Sequence, residues 1–292
     1  MMTIGFIGLG NMGSAIAGRL IKGGKSLVVW NRSPAAAERL AAEGAARAET
    51  PADALQGEVA FSMLADDAAI EATLVASGAL KAAREGLIHV NCATVSVALA
   101  ERLEALHREL GLAYVAAPVL GRPDAAAAGQ LHVLAAGDPD AVAKVWPMLE
   151  LVGQRVWPVG DHAPMANVVK LACNFALAST IETLGEAGAL AKAHGVEPAR
   201  LFEVMTGSLF AAPAYRVYGG LIGERRFEPA GFRMPLGMKD VRLALEAGEA
   251  KHAPLPIASL LRDHFLAAIA NGDADKDWSA LAMTAFRNAG LA

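Results

Sequence analysis

At 292 residues and 54% apolar content, the chain has material for about two domains with a large core, while 5% aromatic residues leave few rings to stack on bases. A formal net charge of −4 speaks against a polyanionic partner, so nucleic acid is not expected. Cys92 and Cys173 are the only cysteines and each lies in an apolar run, which supplies neither a disulfide framework nor a metal cluster and suits a reducing cytoplasm.

Residues 3–8 (TIGFIG) read as a short strand that runs straight into Gly8, Leu9, Gly10, Asn11, Met12 and Gly13, and then into a helical run over 14–22. This is G-x-G-x-x-G between strand and helix. The first glycine allows the tight turn, the second lets backbone approach a pyrophosphate, and the third lets helix pack on strand. The helix N-terminus then faces the phosphates. No basic residue precedes Arg19, so this start fits a binding loop better than a signal peptide.

The second strand, 26–30, ends at Asn31, Arg32 and Ser33. An NAD site places Asp or Glu there for the ribose 2′-hydroxyl; here a neutral amide stands beside a guanidinium and a hydroxyl that can hold a 2′-phosphate. NADP(H) is therefore expected over NAD. The plainer alternative is that Arg32 is a surface charge and Ser33 caps a helix starting at Pro34.

Further strand signals at 59–64, 87–92, 113–117, 131–136 and 154–159 alternate with helices. Such alternation predicts a mostly parallel sheet covered on both faces, with ligands outside the carboxyl ends of the strands. Those ends carry Leu64 with Ala65, Ala93 with Thr94, and Pro118 through Arg122. Asp66, Asp67, Thr94 and Ser96 also have a simpler reading as helix caps.

Beyond residue 159 the punctuation is helical only, at 161–194, 197–208, 213–223, 236–251, 256–271 and 278–288. The fold expected is α/β: a Rossmann-type doubly wound sheet over 1–160, followed by an all-α domain over 161–292. In the long helix, Asp161 can cap the start, Pro164 suits the first turn and Gly195 lies just past the end. From Ala163 to Ile181 its single charge is Lys170, and at helical spacing Asn167, Lys170 and Asn174 share one face. A lone Lys between amides reads as the floor of a cleft, or else as a Lys snorkelling to water at the edge of a packed helix. Lys170 and Asn174 also break the longest apolar run, so no membrane span is expected.

The glycine turn together with Lys170 and Asn174 resembles the β-hydroxyacid dehydrogenases, among them 3-hydroxyisobutyrate dehydrogenase, tartronate semialdehyde reductase and the glyoxylate or succinic semialdehyde reductases, with 6-phosphogluconate dehydrogenase a larger relative. The likeness covers nearly the whole chain. Residues 7–13 match the family's cofactor loop, 63–67 its second cofactor loop, Lys170 and Asn174 its catalytic Lys and accompanying Asn, and Lys239 with Asp240 its late Lys-Asp pair. Alone, Lys239 and Asp240 would read as a surface ion pair. The family's substrate loop usually reads Asp-Ala-Pro-Val-Ser-Gly-Gly, whereas this chain has Ala116, Ala117, Pro118, Val119, Leu120, Gly121 and Arg122; Ala166 and Ala93 replace a usual Gly and Ser.

The resemblance implies hydride transfer between nicotinamide and a small carboxylate substrate, a β-hydroxyacid, semialdehyde or glyoxylate-like compound. Lys170 is then the general acid/base, and Asn174 holds substrate or Lys170 in place. Cofactor contacts are expected from Gly8 through Gly13, Asn31, Arg32, Ser33, Leu64, Ala65, Thr94 and Lys239, and substrate contacts from Gly121, Arg122, Asn174 and Phe232. Arg122, standing near the missing loop Ser, offers a bidentate clasp for a carboxylate, or else pairs with Asp124. The helical domain is expected to carry self-association into a homodimer or homotetramer. Two rivals stand beside this reading: an imine reductase of the same architecture, which the retained Lys170 disfavours, and a non-catalytic NADPH-binding scaffold.

Overall fold

A computed structural model describes residues 3–291. It divides into two compact units, Met1–Lys170 and Leu171–Ala292.

The first unit is built on a nine-stranded sheet. Its strands are β1 (Thr3–Ile7), β2 (Ser26–Trp30), β3 (Ala46–Arg47), β4 (Val59–Ser62), β5 (Ile88–Asn91), β6 (Ala113–Ala116), β7 (Val119–Leu120), β8 (Leu131–Gly137) and β9 (Gly153–Gly160). Their order is β3-β2-β1-β4-β5-β6-β8-β7, with β9 paired to β8. The run from β3 to β6 is parallel, and the chain reverses on either side of β1, since β2 and β4 both pair with it. That reversal point is where doubly wound sheets bind dinucleotides. β4 (VAFS) and β5 (IHVN) are buried at every residue, both faces of the sheet being covered, so the polar side chains of Ser62, His89 and Asn91 are buried with the apolar ones.

Helices cover both faces. Here α1 (Asn11–Lys22) and α2 (Pro34–Ala42) follow β1 and β2, and α3 (Asp67–Ile70), continued by a π-helical turn, follows β4. Then come α4 (Val97–Glu109), α5 (Pro123–Ala128) and α6 (Pro139–Val152). One core packs Ile16, Leu20 and Leu40 on Phe6, Val29 and Phe61; the opposite one packs Ile70, Leu74, Leu99 and Leu103 around Ile7 and Tyr114.

The long helix α7 (Pro164–Ala193) contributes to both units. Pro164 occupies its first turn and Gly195, at φ +80°, follows its end, as the sequence indicates. Asp161 lies too far upstream to cap it; instead the Glu104 carboxylate accepts from the Ala163 N–H at 2.8 Å. The second unit continues with α8 (Pro198–Thr206), α9 (Pro213–Gly223), α10 (Met234–Ala250), α11 (Pro256–Ala270), a 3-10 turn at Trp278–Ala282 and α12 (Met283–Asn288). Its core gathers Ile181, Leu184, Phe265 and Trp278. A Cβ on Gly237 would sit 2.6 Å from the Trp278 ring, so the small residue lets α10 lie close upon it. The architecture is thus a Rossmann-type sheet followed, among the described residues, by a mostly α-helical unit, as expected. The two short strands β3 and β7 have no separate signal in the sequence.

Candidate active site

The glycine turn has the geometry its spacing calls for. Gly8 holds φ +93°, and an added Cβ would lie 2.5 Å from the Met63 carbonyl oxygen. At Gly13 a Cβ would lie 2.0 Å from the Gly8 carbonyl oxygen, so only glycine lets α1 pack against the turn. Gly10 differs, because a Cβ there would meet nothing within 4 Å. The space above its backbone is open, and α1 begins just beyond with no acidic residue in its first turn and no side-chain cap. Open backbone N–H groups at a helix start, with nothing negative among them, fit a dinucleotide pyrophosphate.

Asn31 is tied into this turn. Its Oδ1 accepts from the Leu9 N–H and its Nδ2 donates to the Ser33 carbonyl, both at 2.9 Å. The amide therefore fastens the glycine loop to the end of β2, a job the sequence reading did not assign to it. Arg32 is exposed and makes no hydrogen bond or ion pair among the described residues. Ser33 sits at the N-cap of α2 without a side-chain cap bond. Beside them, Trp30, Asn31, Arg32, Pro34, Arg47 and Glu49 help to line a hollow of about 240 Å³. No acidic residue stands at the end of β2, so the charge pattern accepts a 2′-phosphate.

At the neighbouring strand ends, Leu64 and Thr94 are half-buried and Ala65 is exposed. Asp66 caps α3 through the Ala69 N–H at 2.8 Å, and Ser96 caps α4 through the Leu99 N–H at 2.9 Å. The simpler reading of these two residues holds, while Asp67 accepts from the Ser96 N–H and joins the two caps.

Behind these loops runs a buried polar chain of which no local pattern of residues is a sign. The Ser62 hydroxyl lies 2.8 Å from His89 Nε2, His89 Nδ1 lies 2.9 Å from His107 Nε2, and His107 Nδ1 lies 2.7 Å from the Leu103 carbonyl oxygen. A carbonyl only accepts, so His107 Nδ1 carries its proton and Nε2 accepts from His89 Nδ1; His89 Nε2 is left to accept from Ser62. Burial drives both rings toward the neutral form. His89 falls well below the usual histidine range, helped by His107, and His107 falls to about 4 against the pull of its Leu103 hydrogen bond. Asn91 extends the network, accepting from the Ala93 N–H and donating to the Tyr114 hydroxyl, both at 3.0 Å. Ser62 and Asn91 are the last residues of β4 and β5, so the network lies directly behind the loops that follow the two strands.

On α7 the polar stripe is buried: Asn167 is 1% exposed, Lys170 8% and Asn174 4%. The Asn167 Oδ1 has no hydrogen-bond partner among the described residues. Within the second unit, the Asn174 amide donates to Asp240 Oδ2 at 2.5 Å, and the Lys239 ammonium lies 3.2 Å from Asp240 Oδ1. Asp240 is 1% exposed, so this is not a surface pair. It is a buried carboxylate that orients the Asn174 amide with one oxygen and holds Lys239 with the other. The sequence named Asp240 only as a companion of Lys239.

The remaining expected substrate residues lie as follows. Gly121, at φ +139°, precedes Arg122, which is half-buried at the N-cap of α5 with its Nη1 buried. Phe232 stacks edge-on against Trp278 at 5.0 Å, and its N–H donates to the buried Asp277 carboxylate, which also caps the following 3-10 turn. Among the described residues no group of three or more His, Cys, Asp or Glu side chains is placed to hold a metal, and no helix is long and apolar enough to cross a membrane.

Comparison with known proteins decides the family. The profile described as the NAD binding domain of 6-phosphogluconate dehydrogenase matches residues 3–160, and that described as NAD-binding of NADP-dependent 3-hydroxyisobutyrate dehydrogenase matches 165–285. The chain belongs to the β-hydroxyacid dehydrogenase family. It is 41% identical over 282 residues to the uncharacterized oxidoreductase YfjR of Bacillus subtilis, covering 96% of this chain and 98% of that one. It is 34% identical to the NAD-dependent L-serine dehydrogenase of Pseudomonas aeruginosa, covering 96% of each. The structure of Mycobacterium tuberculosis 3-hydroxyisobutyrate dehydrogenase with L-serine superposes with a TM-score of 0.88 at 30% identity, covering 97% of this chain and 99% of that one. As a member of this family the chain is an NAD(P)-binding oxidoreductase, and NADP(H) is a cofactor that its matched profiles and its glycine turn accommodate.

Proposed function

We propose that the chain interconverts a small β-hydroxyacid and the corresponding semialdehyde or oxo acid, with NADP(H) preferred over NAD(H). Residues 1–160 hold the cofactor, and residues 161–292 serve the substrate and self-association into a homodimer or homotetramer. When bound, the cofactor gives or takes the hydride. The observation that carries the reading is the buried stripe of Asn167, Lys170 and Asn174, with Lys170 only 8% exposed on an otherwise uncharged helical run. A desolvated amine is suited to exchanging a proton with a substrate oxygen that gains and loses negative charge.

In the reducing direction Lys170 donates a proton to the substrate oxygen; in the oxidising direction its neutral form removes the alcohol proton. Asn174, its amide fixed by Asp240, presents its carbonyl end for positioning. Lys239, held by the same carboxylate, supplies positive charge toward cofactor or substrate. Arg122 and Gly121 bear on the substrate's carboxylate. The L-serine in the names of the Pseudomonas and Mycobacterium relatives supports a three-carbon β-hydroxyacid skeleton.

The test is a spectrophotometric screen: NADPH oxidation with glyoxylate, succinic, tartronate and methylmalonate semialdehydes, and NADP+ reduction with L-serine and 3-hydroxyisobutyrate. Turnover of one or more is expected. Silence across that panel with turnover of cyclic imines would replace the reading by the imine reductase one.

A further inference from the structure

We infer that Arg47 is a second guanidinium for the cofactor's 2′-phosphate and that, with Arg32, it sets the preference for NADP(H) over NAD(H). The inference rests on the NADP(H) reading above and extends it to a residue outside the β2 turn.

The short strand β3 explains how Arg47 comes to be there. Its two residues pair in parallel with β2, Ala46 opposite Val28 and Arg47 opposite Val29, and the Ala48 N–H donates to the Val29 carbonyl at 2.9 Å. Arg47 is thereby fixed one step behind Trp30, level with the end of β2 where Asn31 and Arg32 follow. Just beyond, Thr50 and Asp53 close a reciprocal box, with the Thr50 N–H donating to Asp53 Oδ2 at 2.8 Å, which stops the segment from sliding. Arg32 and Arg47 consequently line the same 240 Å³ hollow from two separate strand ends.

Charge makes Arg47 necessary. The ionised side chains lining the hollow are Arg32, Arg47 and Glu49. Without Arg47, Glu49 would cancel Arg32 and leave nothing net to attract a phosphate dianion. With it the lining is positive by one, and the Glu38 carboxylate, outside the lining but beside Arg47, must be displaced for that charge to face a phosphate. In this structure Arg47 is shared between Glu49 at 3.2 Å and Glu38 at 3.7 Å, with side-chain exposures of 79% and 60% for the two carboxylates. Exposed pairs of this kind are weak, so a phosphate with several acceptor oxygens can displace either carboxylate from the guanidinium. Glu49 and Glu38 thus hold Arg47 over the hollow and give it up when the 2′-phosphate arrives.

The experiment is calorimetric titration of the full chain and its R47A, R32A and E49Q variants with NADP+, NAD+, adenosine 2′,5′-bisphosphate and 5′-AMP. R47A is expected to weaken NADP+ and adenosine 2′,5′-bisphosphate by about tenfold, the scale of a charged hydrogen bond. Its affinity for NAD+ and 5′-AMP should stay unchanged, which also shows that the variant is folded. E49Q, relieved of a competing carboxylate, should bind NADP+ more tightly; weaker binding would contradict the competition assigned to Glu49. The inference is overturned if R32A weakens NADP+ while R47A does not. If the unaltered chain binds NADP+ no better than NAD+, the NADP(H) preference itself fails, an outcome visible before any variant is compared.

Discussion

Acidification should expose the buried histidine pair. An unfolded histidine titrates near 6.5, whereas His107 in the fold is held down to about 4 by burial. The folded chain therefore binds the proton later than the unfolded one as pH falls. The contribution of His107 is fully present above pH 6.5, shrinks as pH drops, and is spent near pH 4. At about 1.4 kcal/mol per pH unit, the step from pH 7 to pH 5 costs about 2 kcal/mol from His107 alone, and His89, shifted in the same direction, adds to it. Glu182 acts oppositely, since burial raises its carboxyl and the folded state takes up that proton first. Urea unfolding at pH 7, 6 and 5 should thus be compared between the unaltered chain and His107→Gln, in which the Glu182 contribution cancels. The drop in stability between pH 7 and pH 5 should be about 2 kcal/mol smaller in the variant, whatever its stability at pH 7. An equal drop in both would refute the neutral, burial-depressed state assigned to His107.

Asn31→Ala removes the acceptor for the Leu9 N–H and the donor to the Ser33 carbonyl. Because it loosens the turn and not the 2′-phosphate site, calorimetry should show NADP+ and NAD+ weakened by the same factor, roughly tenfold; a loss confined to NADP+ would make Asn31 a phosphate contact instead. Asp240→Ala leaves the Asn174 amide and the Lys239 ammonium without their buried carboxylate. Urea titration should record a loss of roughly 1–3 kcal/mol, and kcat should fall as well; unchanged values of both would mean that Asp240 positions neither group.

Elements with a period or a punctuation mark were readable before any coordinates. Ser26–Trp30, Pro213–Gly223 and the start of α11 at Pro256 fall where the residues place them, because apolar runs bounded by Gly, Pro and caps are local signals. The glycine turn was legible for the same reason: the backbone at Gly8 and the contacts at Gly13 admit nothing larger. What stayed hidden was set by partners distant in sequence. β3 is two residues long and exists only through its register with β2, so nothing in Ala46 or Arg47 announces a strand or a shared hollow. His89 and His107 meet because β5 and α4 pack together, and a lone His in an apolar run carries no sign of a second one 18 residues on. Asp240 looked like half of a surface pair until α10 brought it to Asn174, 66 residues away in the chain.

The central claim is that the Lys170 amine moves the proton while other residues hold the cofactor. It is tested most directly by Lys170→Met, measured for NADP+ affinity by calorimetry and for turnover on the substrate that the screen identifies. The account predicts NADP+ affinity close to that of the unaltered chain and kcat lower by roughly 10² or more, the scale of a general acid/base contribution. Turnover equal to that of the unaltered chain would contradict it.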